Sequence, residues 1–522
     1  MSFPSPMKIA IVGSGVSGLA ATWLLNEFSD HEVHLFEASD RPGGHANTVS
    51  YKSARKSEPV DVDTGFIVFN PSTYPNFINF LKSYPHLRSA ILPTEMTFSV
   101  SRDQGAFEWA GNNLFTVFTQ PSRLLDPKMW RLLYDVLRFN ACARQLVMHE
   151  SKGNGAKLSI GQYLEREGYS DVFRDNYLIP MTAAIWSTPP DKCALDFPAR
   201  TLIQFLNNHH LLQITGKPSW LTLRGGSRVY VDQIISGLPN TQLHLSTPIT
   251  SASSTTSQGK ISVKLTTSDG QTESFDHVIL ACHSNNTLEL LRAGDGGATL
   301  EEERILGAFK WNKNEAILHS DIRLMPRSRM AWACWNYLTS SAMDDNGRKK
   351  ANVNQVALTY WMNELQHISE KEHGPILVTL NPPFEPTESL IAGRYKYEHP
   401  VFDSAAIHAQ QEIPTIQNVR GISFAGAWLN YGFHEDGFTS GLRAALGIVE
   451  GDPNMKRTIR PPFEVQLADH KPRAVLAAIA FDFLESTDLR ASLGIFLSFW
   501  IALLRRIVEM AFGWDFSHLD HA

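Results

Sequence analysis

A chain of 522 residues, 43% hydrophobic and 19% charged, is long enough for more than one packed core and is globular in composition, with no large disordered segment. A formal charge of −6 argues against nucleic acid as the main partner. Cys142, Cys193, Cys282 and Cys334 are far apart and form no CxxC pair, so no thiolate metal site is expected and the four read as ordinary free thiols in a reducing compartment. Residues 1–7, "MSFPSPM", lack the apolar run of a secretory signal; the expectation is an intracellular protein, cytoplasmic or peripherally membrane-associated, and not a secreted one.

In chain order, "IAIV" at residues 9–12 is a short, fully apolar run, as expected of a buried parallel strand. Gly13-Ser14-Gly15-Val16-Ser17-Gly18 follows at once, and "LAATWLL" opens a helix. A GxGxxG set between strand and helix is a dinucleotide fingerprint. Gly13 permits the tight turn, Gly15 lets backbone approach a pyrophosphate, and Gly18 lets the helix lie close on the strand. The helix start at Val16 and Ser17 offers unpaired N–H groups and a partial positive charge to the phosphates. "EVHLFEA", residues 32–38, is a second strand reaching Glu37 and Ala38. Glu37 lies 19 residues after Gly18, and its carboxylate can accept both ribose hydroxyls of an adenosine.

Behind that acid, "EASDRPGGHANTV" brings Arg41, Gly43 and Gly44, a second close backbone approach with a fixed positive fork for phosphate. The spacing E-x-x-x-R-x-G-G is similar to the second phosphate-contact motif of flavoproteins, which favours FAD over a nicotinamide cofactor. After Asn70 the pattern reads as helical to about His210, with Leu124, Leu125, Met129, Leu132, Leu133, Val136 and Leu137 recurring at three and four. Pro180, Pro189 and Pro190 punctuate it past Leu178. "LRGGSRVYVDQIISGL", a strand around Thr247-Pro248-Ile249, strands flanking an Asp269-Gly270 turn, and the buried run "VILA" leading to Cys282 and His283 follow. Residues 301–400 carry strand-like runs, clearest in "RMAWACWNYL" and "NVNQVALTYWMN". In the second, Val356, Leu358, Tyr360 and Met362 share one face. Asp344-Asp345-Asn346-Gly347 with the basic "RKK" reads as an exposed loop.

The block "ISFAGAWLNYGFHEDGFTSGLRAALGIVEG" holds a strand, a turn and a helix over residues 437–448. Last comes "ASLGIFLSFWIALL", residues 491–504, uncharged between Arg490 and Arg505-Arg506. Its fourteen residues fall short of the roughly 20 that a spanning helix needs. Two readings stay open: an in-plane membrane helix with Phe496, Phe499 and Trp500 at the interface, and an apolar helix docked on the protein.

These motifs resemble the FAD-dependent amine oxidase-like superfamily, which includes amine oxidases, protoporphyrinogen oxidase and the carotenoid desaturases. The resemblance is strongest over residues 8–70, 225–283 and 421–448, and is nearest to a group of predicted FAD/NAD-binding proteins usually labelled amine oxidases by default. It implies an α/β, two-dinucleotide-binding-domain flavoprotein fold, with a Rossmann-like FAD domain and a mixed-sheet plus helical substrate domain. The expected boundaries are 1–80, 215–300 and 405–452 for the FAD domain, 81–214 and 301–404 for the substrate domain, and 453–522 for a C-terminal tail. The resemblance also implies a backbone contact to adenine at Ile249, flavin contacts at Gly426, Gly437 and Phe438, and a helix N-terminus aimed at the flavin's N1–C2=O edge. One position departs from the pattern: Ala427 stands where the family usually has Asp, and Glu435 and Asp436 are candidates for its polar work.

For chemistry, a flavin needs a substrate C–H held over N5 in a dry pocket. His45, after the phosphate glycines, and His434, before the flavin-facing helix, are candidates for contact with cofactor or substrate. Lys313 is a candidate for the lysine that many amine oxidases place near N5, and Tyr360, Trp361 and Tyr431 for aromatic pocket walls. No acidic cluster for recognising a polyamine is evident. The expectation is an FAD-dependent oxidoreductase that removes hydride from a hydrophobic lipid, fatty-acyl or isoprenoid substrate, desaturase-like, with membrane contact through 491–504 open. The alternatives are a flavin amine oxidase producing hydrogen peroxide, and a non-catalytic flavin-binding partner of a lipid enzyme.

Overall fold

A computed structural model describes residues 5–516 and 519, apart from 54, 57, 149–157, 187–194, 196, 214–217, 240–241, 344–348, 352–356, 451, 453, 457–461 and 465–471. Pro189, Pro190, Cys193, the 344–347 loop and Val356 lie outside the described residues.

The apolar run at Lys8–Val12 is the central strand of a five-stranded parallel sheet. Across that sheet the order is Ile422–Phe424, His277–Leu280, Lys8–Val12, Glu32–Phe36 and Leu243–His244. Both neighbours of the central strand are buried runs, as a parallel sheet covered on two faces requires. Helices Val16–Phe28 and His434–Val449 lie together over one face, with glycines where they meet. A Cβ on Gly441 would sit 2.0 Å from the Ser17 carbonyl oxygen, and one on Gly437 would sit 2.5 Å from Val16 Cγ1.

A second sheet of seven strands is mixed, ordered Ile391–Val401, Lys310–His319, Leu377–Leu380, Ala357–Trp361, Trp335–Thr339, Phe98–Arg102 and Phe107–Ala110. All its pairings are antiparallel except Trp335–Thr339 with Phe98–Arg102. Helices Pro127–Cys142, Ile179–Trp186 and Ala199–Asn208 share a core with this sheet, through Phe139, Trp186 and Phe205. The fold is thus α/β, a Rossmann-like half joined to a mixed-sheet and helical half.

Four local expectations are corrected. The segment after Asn70 is not helical throughout: Ile91–Thr94, Phe98–Arg102 and Phe107–Ala110 are strands, the last two closing on a turn with Asp103, Gln104 and Gly105 at positive φ. Pro180 does not end its helix, because a π turn at Arg174–Leu178 leads directly into Ile179–Trp186 and absorbs the missing N–H. In "RMAWACWNYL" only Trp335–Thr339 is strand, after a 3₁₀ turn at Arg329–Ala331. The helix expected over 437–448 begins earlier, at His434. The Asp269-Gly270 turn is found between Lys260–Thr267 and Thr272–Phe275, with Gly270 at φ 84°.

The glycine contact between the two long helices gives a stability test. Gly441→Val forces a side chain into the Ser17 backbone and should destabilise the fold by about 1–3 kcal/mol, the usual range for overpacking, or more. A lowered apparent Tm is the expected reading; an unchanged melt would mean that the helices do not touch there.

Candidate active site

At the end of the first strand Gly13 takes φ 103°, and its N–H donates to the Phe36 carbonyl at 2.8 Å. A Cβ there would lie 2.9 Å from the Ala281 oxygen, and one on Gly18 would lie 1.8 Å from the Gly13 oxygen. Both glycines are therefore required by the protein's own backbone. Gly15 is different: an added Cβ would meet no atom within 4 Å. It caps the Val16–Phe28 helix with no side-chain cap hydrogen bond and no acidic residue in the first turn. Open space over a helix N-terminus is what an anionic pyrophosphate needs.

Glu37 is held beside this turn. One carboxylate oxygen accepts the Ser14 backbone N–H at 3.0 Å and the Ser14 hydroxyl at 2.5 Å, and the other accepts the Ser39 N–H at 2.9 Å. The chain returns alongside: Thr247 N–H donates to the Glu37 carbonyl at 2.9 Å, which sets Ile249 at the start of strand Ile249–Ser257 near the acid and the exposed Ala38. Gly43 donates its N–H to the Ser14 carbonyl at 2.9 Å, and a Cβ on Gly44 would sit 3.1 Å from Gly15 Cα, so the two glycine turns face each other. Arg41 ties the second turn together, donating to the carbonyl oxygens of Gly44 at 2.9 Å and Pro42 at 3.3 Å.

The opposite wall is the turn at Gly426 and Ala427 with the start of the His434–Val449 helix. Gly426 N–H donates to Ser440 Oγ at 2.9 Å. Glu435 and Asp436 do not replace the absent Asp. Glu435 accepts the N–H groups of Asn76 and Phe77 at 2.8 and 3.0 Å and so caps helix Pro75–Ser83. Asp436 accepts from Phe433 N–H and the Asn430 amide. Phe438 is also corrected: its ring is fully buried among Phe77, Phe80 and Trp23, away from the cavity.

Between these walls and the seven-stranded sheet lies a cavity of about 270 Å³. Gly15, Val16, Ser17, Gly426 and Ala427 border it, as do Tyr360 and Tyr431. Tyr360 stands edge-on to Trp335 at 5.2 Å, and Tyr431 lies 5.4 Å from Phe205. Trp361 is turned to the other side of its strand, against Trp332 and Arg329. Lys313 is corrected as well: its side chain is 88% exposed, 4.0 Å from Glu398, and does not line the cavity.

His45 and His434 do border the cavity. His434 stacks on Phe66 at 3.7 Å, and its Nε2 takes the Tyr230 hydroxyl at 2.7 Å. Burial holds it well below the usual histidine range, hence neutral. His45 stacks on Tyr397 at 4.9 Å, and its buried Nε2 has no hydrogen-bond partner. Burial, then the neighbouring His283 and Arg41, push His45 down to about 4.

Three cavity residues escaped the sequence reading as a group. His283 ends the "VILACH" strand, stacks on Trp311 at 3.9 Å and lies 3.4 Å from Glu398. His399 accepts the Asn314 amide at 2.7 Å and stands 5.2 Å from His45. Burial pushes His283 to about 4 and His399 to about 3, so both are neutral. A signal existed in "YKYEHP", where Tyr395, Tyr397 and His399 alternate on one face of Ile391–Val401. Cys282 is also at the cavity, its thiol pushed up to about 11 by burial and hence unreactive. No three His, Cys, Asp or Glu among the described residues are arranged to hold a metal ion.

The residues fit FAD on one observation, the empty space at Gly15 over a helix N-terminus. Gly15→Val should fold and melt as the cofactor-free protein does, yet lose the visible flavin absorbance after purification. Gly18→Val, which clashes with protein backbone instead, should lower the yield of folded protein. Full flavin content in Gly15→Val would refute the cradle.

Comparison with known proteins agrees with this geometry. The family model described as flavin containing amine oxidoreductase matches residues 16–295, more than half of the chain. Cyclohexylamine oxidase from Brevibacterium oxydans IH-35A is similar in structure at a TM-score of 0.56 and 14% identity, over 86% of this chain and 99% of that one. A conjugated linoleic acid (CLA)-producing fatty acid isomerase from P. acnes matches at 0.54 and 15%, over 86% and 99%. A putrescine oxidase bound to putrescine matches at 0.57 and 15%, over 85% and 99%. The chain belongs to the flavin-containing amine oxidoreductase family and is an FAD-dependent oxidoreductase.

Proposed function

We propose that this enzyme removes hydride from a hydrophobic substrate of the lipid, fatty-acyl or isoprenoid class, with residues 1–80, 215–300 and 405–452 holding FAD and 81–214 and 301–404 holding the substrate. The observation that carries this is the lining of the cavity. Glu398 is its single formally charged side chain among the described residues, and the imidazoles there are neutral. Its aromatic lining includes Trp186, Phe205, Trp335, Tyr360 and Tyr431. Such a wall desolvates an alkyl chain at little cost and gives an ammonium group poor compensation.

Bound FAD supplies a hydride acceptor. The groups near Gly15, Glu37, Arg41, Gly44 and Ile249 would hold its phosphates and adenosine, and the His434–Val449 helix would present its positive end to the ring system. The aromatic side chains exclude water and orient the substrate. His45, a neutral imidazole bordering the cavity, is our candidate to accept the proton that accompanies hydride loss from the neighbouring carbon. Amine oxidation stays as a second reading because Tyr360 and Tyr431 both face the cavity, where two rings can flank an amine. The exposed Lys313 does not favour it.

Two tests separate these readings. Under anaerobic conditions a fatty-acyl or isoprenoid lipid extract should bleach the flavin spectrum, whereas amines should not; bleaching by amines alone would overturn the lipid reading. His45→Gln should keep its flavin but slow that bleaching by about 10²–10⁴-fold, the usual worth of a general base. Because His45 stays uncharged down to about pH 4, the wild-type rate should fall only as pH drops toward 4. A fall centred near 6.5 would exclude His45 as that base.

A further inference from the structure

The C-terminal tail forms two helices, Pro472–Ser486 and Leu489–Phe512. The second has 24 residues and runs through Arg505 and Arg506, where the sequence pattern placed the end of the apolar run. By length and composition it could cross a membrane, and it is almost wholly exposed.

The first tail helix is amphipathic in reverse. Its polar side faces the protein: Glu485 accepts the Tyr134 hydroxyl at 2.8 Å, Asp482 accepts the Gln145 amide at 2.9 Å, and Arg138 lies 3.6 Å from Glu485. Phe481 and the buried Ala478 complete that contact with helix Pro127–Cys142. Its apolar side faces out, with Leu476 68% and Phe483 59% exposed. A helix docked on a water-soluble protein turns its stripe the other way.

The second tail helix extends the same surface. Counting 100° per residue, its exposed large apolar side chains from Leu493 to Ile507 cover an arc of roughly 200°, including Ile495, Phe496, Phe499 and Trp500. Ile501, near mid-helix, is the buried residue, and Arg505 donates to the Leu125 carbonyl at 2.6 Å. The helix is therefore held alongside the protein at its middle, which is the geometry of an in-plane helix and not of a spanning one. Leu124 and Leu137 are exposed on the 3₁₀ turn and helix that carry the tail.

We propose that this face rests in the surface of a lipid bilayer, with the tail helices lying in the plane of the membrane. A protein partner covers one side of a ridge. An apolar arc this broad, on a helix pair that turns Asp482, Glu485 and Arg505 inward, calls for a surrounding apolar phase. Exposed Arg506 near the end of the apolar stretch is suited to the phosphate level. The inner side of helix Pro127–Cys142 shares its core with Trp186 and Phe205 of the cavity wall, so the membrane face backs onto the substrate half of the enzyme.

The test is flotation of the full-length protein with phosphatidylcholine vesicles, alongside its mass in solution. The wild type should float, and joint substitution Phe483→Ser, Phe496→Ser, Phe499→Ser and Trp500→Ser should reduce the floating fraction by more than about tenfold. Flavin content and melting should not change, because these side chains are exposed and remote from the cavity. A wild type that stays down, or a variant that floats equally well, overturns the proposal. A wild-type dimer that the same substitutions make monomeric, without flotation, assigns the face to a second copy of this chain instead. Either failure leaves the hydrophobic-substrate reading untouched, since that reading rests on the cavity lining.

Discussion

The site depends on backbone brought closer to backbone than any side chain would allow. Gly18 lets the first helix settle onto the turn at Gly13, and Gly441 lets the last long helix settle onto Ser17 of the first. The two helices come from opposite ends of the family-like region, yet both begin beside the same cavity. Two helix N-termini therefore converge where an anionic cofactor must lie, and their dipoles add. Each contact is with main chain, which cannot rotate away. Gly15 alone among the turn glycines faces open space, which separates the residue needed for binding from those needed for folding.

The electrostatics of the cavity follow from dryness. Five imidazoles border it, and burial holds each below the ordinary histidine range. Mutual repulsion adds to this, since His283 lowers His45 and both lower His399. The result is a set of neutral, polarisable rings that can accept or donate a hydrogen bond without bringing a charge. The acids in the first turn of the His434–Val449 helix behave in the complementary way. Burial pushes Glu435 up to about 7 and Asp436 to about 6, and each is occupied by backbone N–H groups. Their negative charge is thus spent on capping and partly neutralised, so it offsets less of the positive helix end that faces the cavity.

What the sequence showed and what it hid divide by the range of the interactions. The glycine turn, Glu37 and the Arg41–Gly44 turn were readable because each is a local backbone requirement with fixed spacing. The cluster of His45, His283 and His399 was not, because it is assembled by a sheet and a turn from three distant segments. Lys313 failed for a simpler reason. Its side chain is 88% exposed beside Glu398, and a sequence pattern does not report how open the surroundings of a strand position are. The strands at 98–110 were hidden by helical neighbours on both sides, although Gln104-Gly105 marked their turn. The tail helix was cut short because charges were taken as its end, whereas Arg505 stays helical and gives its proton to the Leu125 carbonyl.

The helical layer between the cavity and the tail has neighbours on both sides: its inner side shares a core with the cavity wall, and its outer side carries two tail helices. On Pro127–Cys142 the inner residues Met129, Leu132 and Phe139 are buried, while Tyr134, Arg138 and Cys142 meet the tail. A helix with demands on both sides shows no clean apolar stripe, and its sequence follows its two neighbours. The Rossmann-like half has no such freedom: its contacts are with its own backbone and with a cofactor of fixed shape. The close glycine contacts of that half and the two-sided packing of the helical layer thus meet at one cavity, which both of them border.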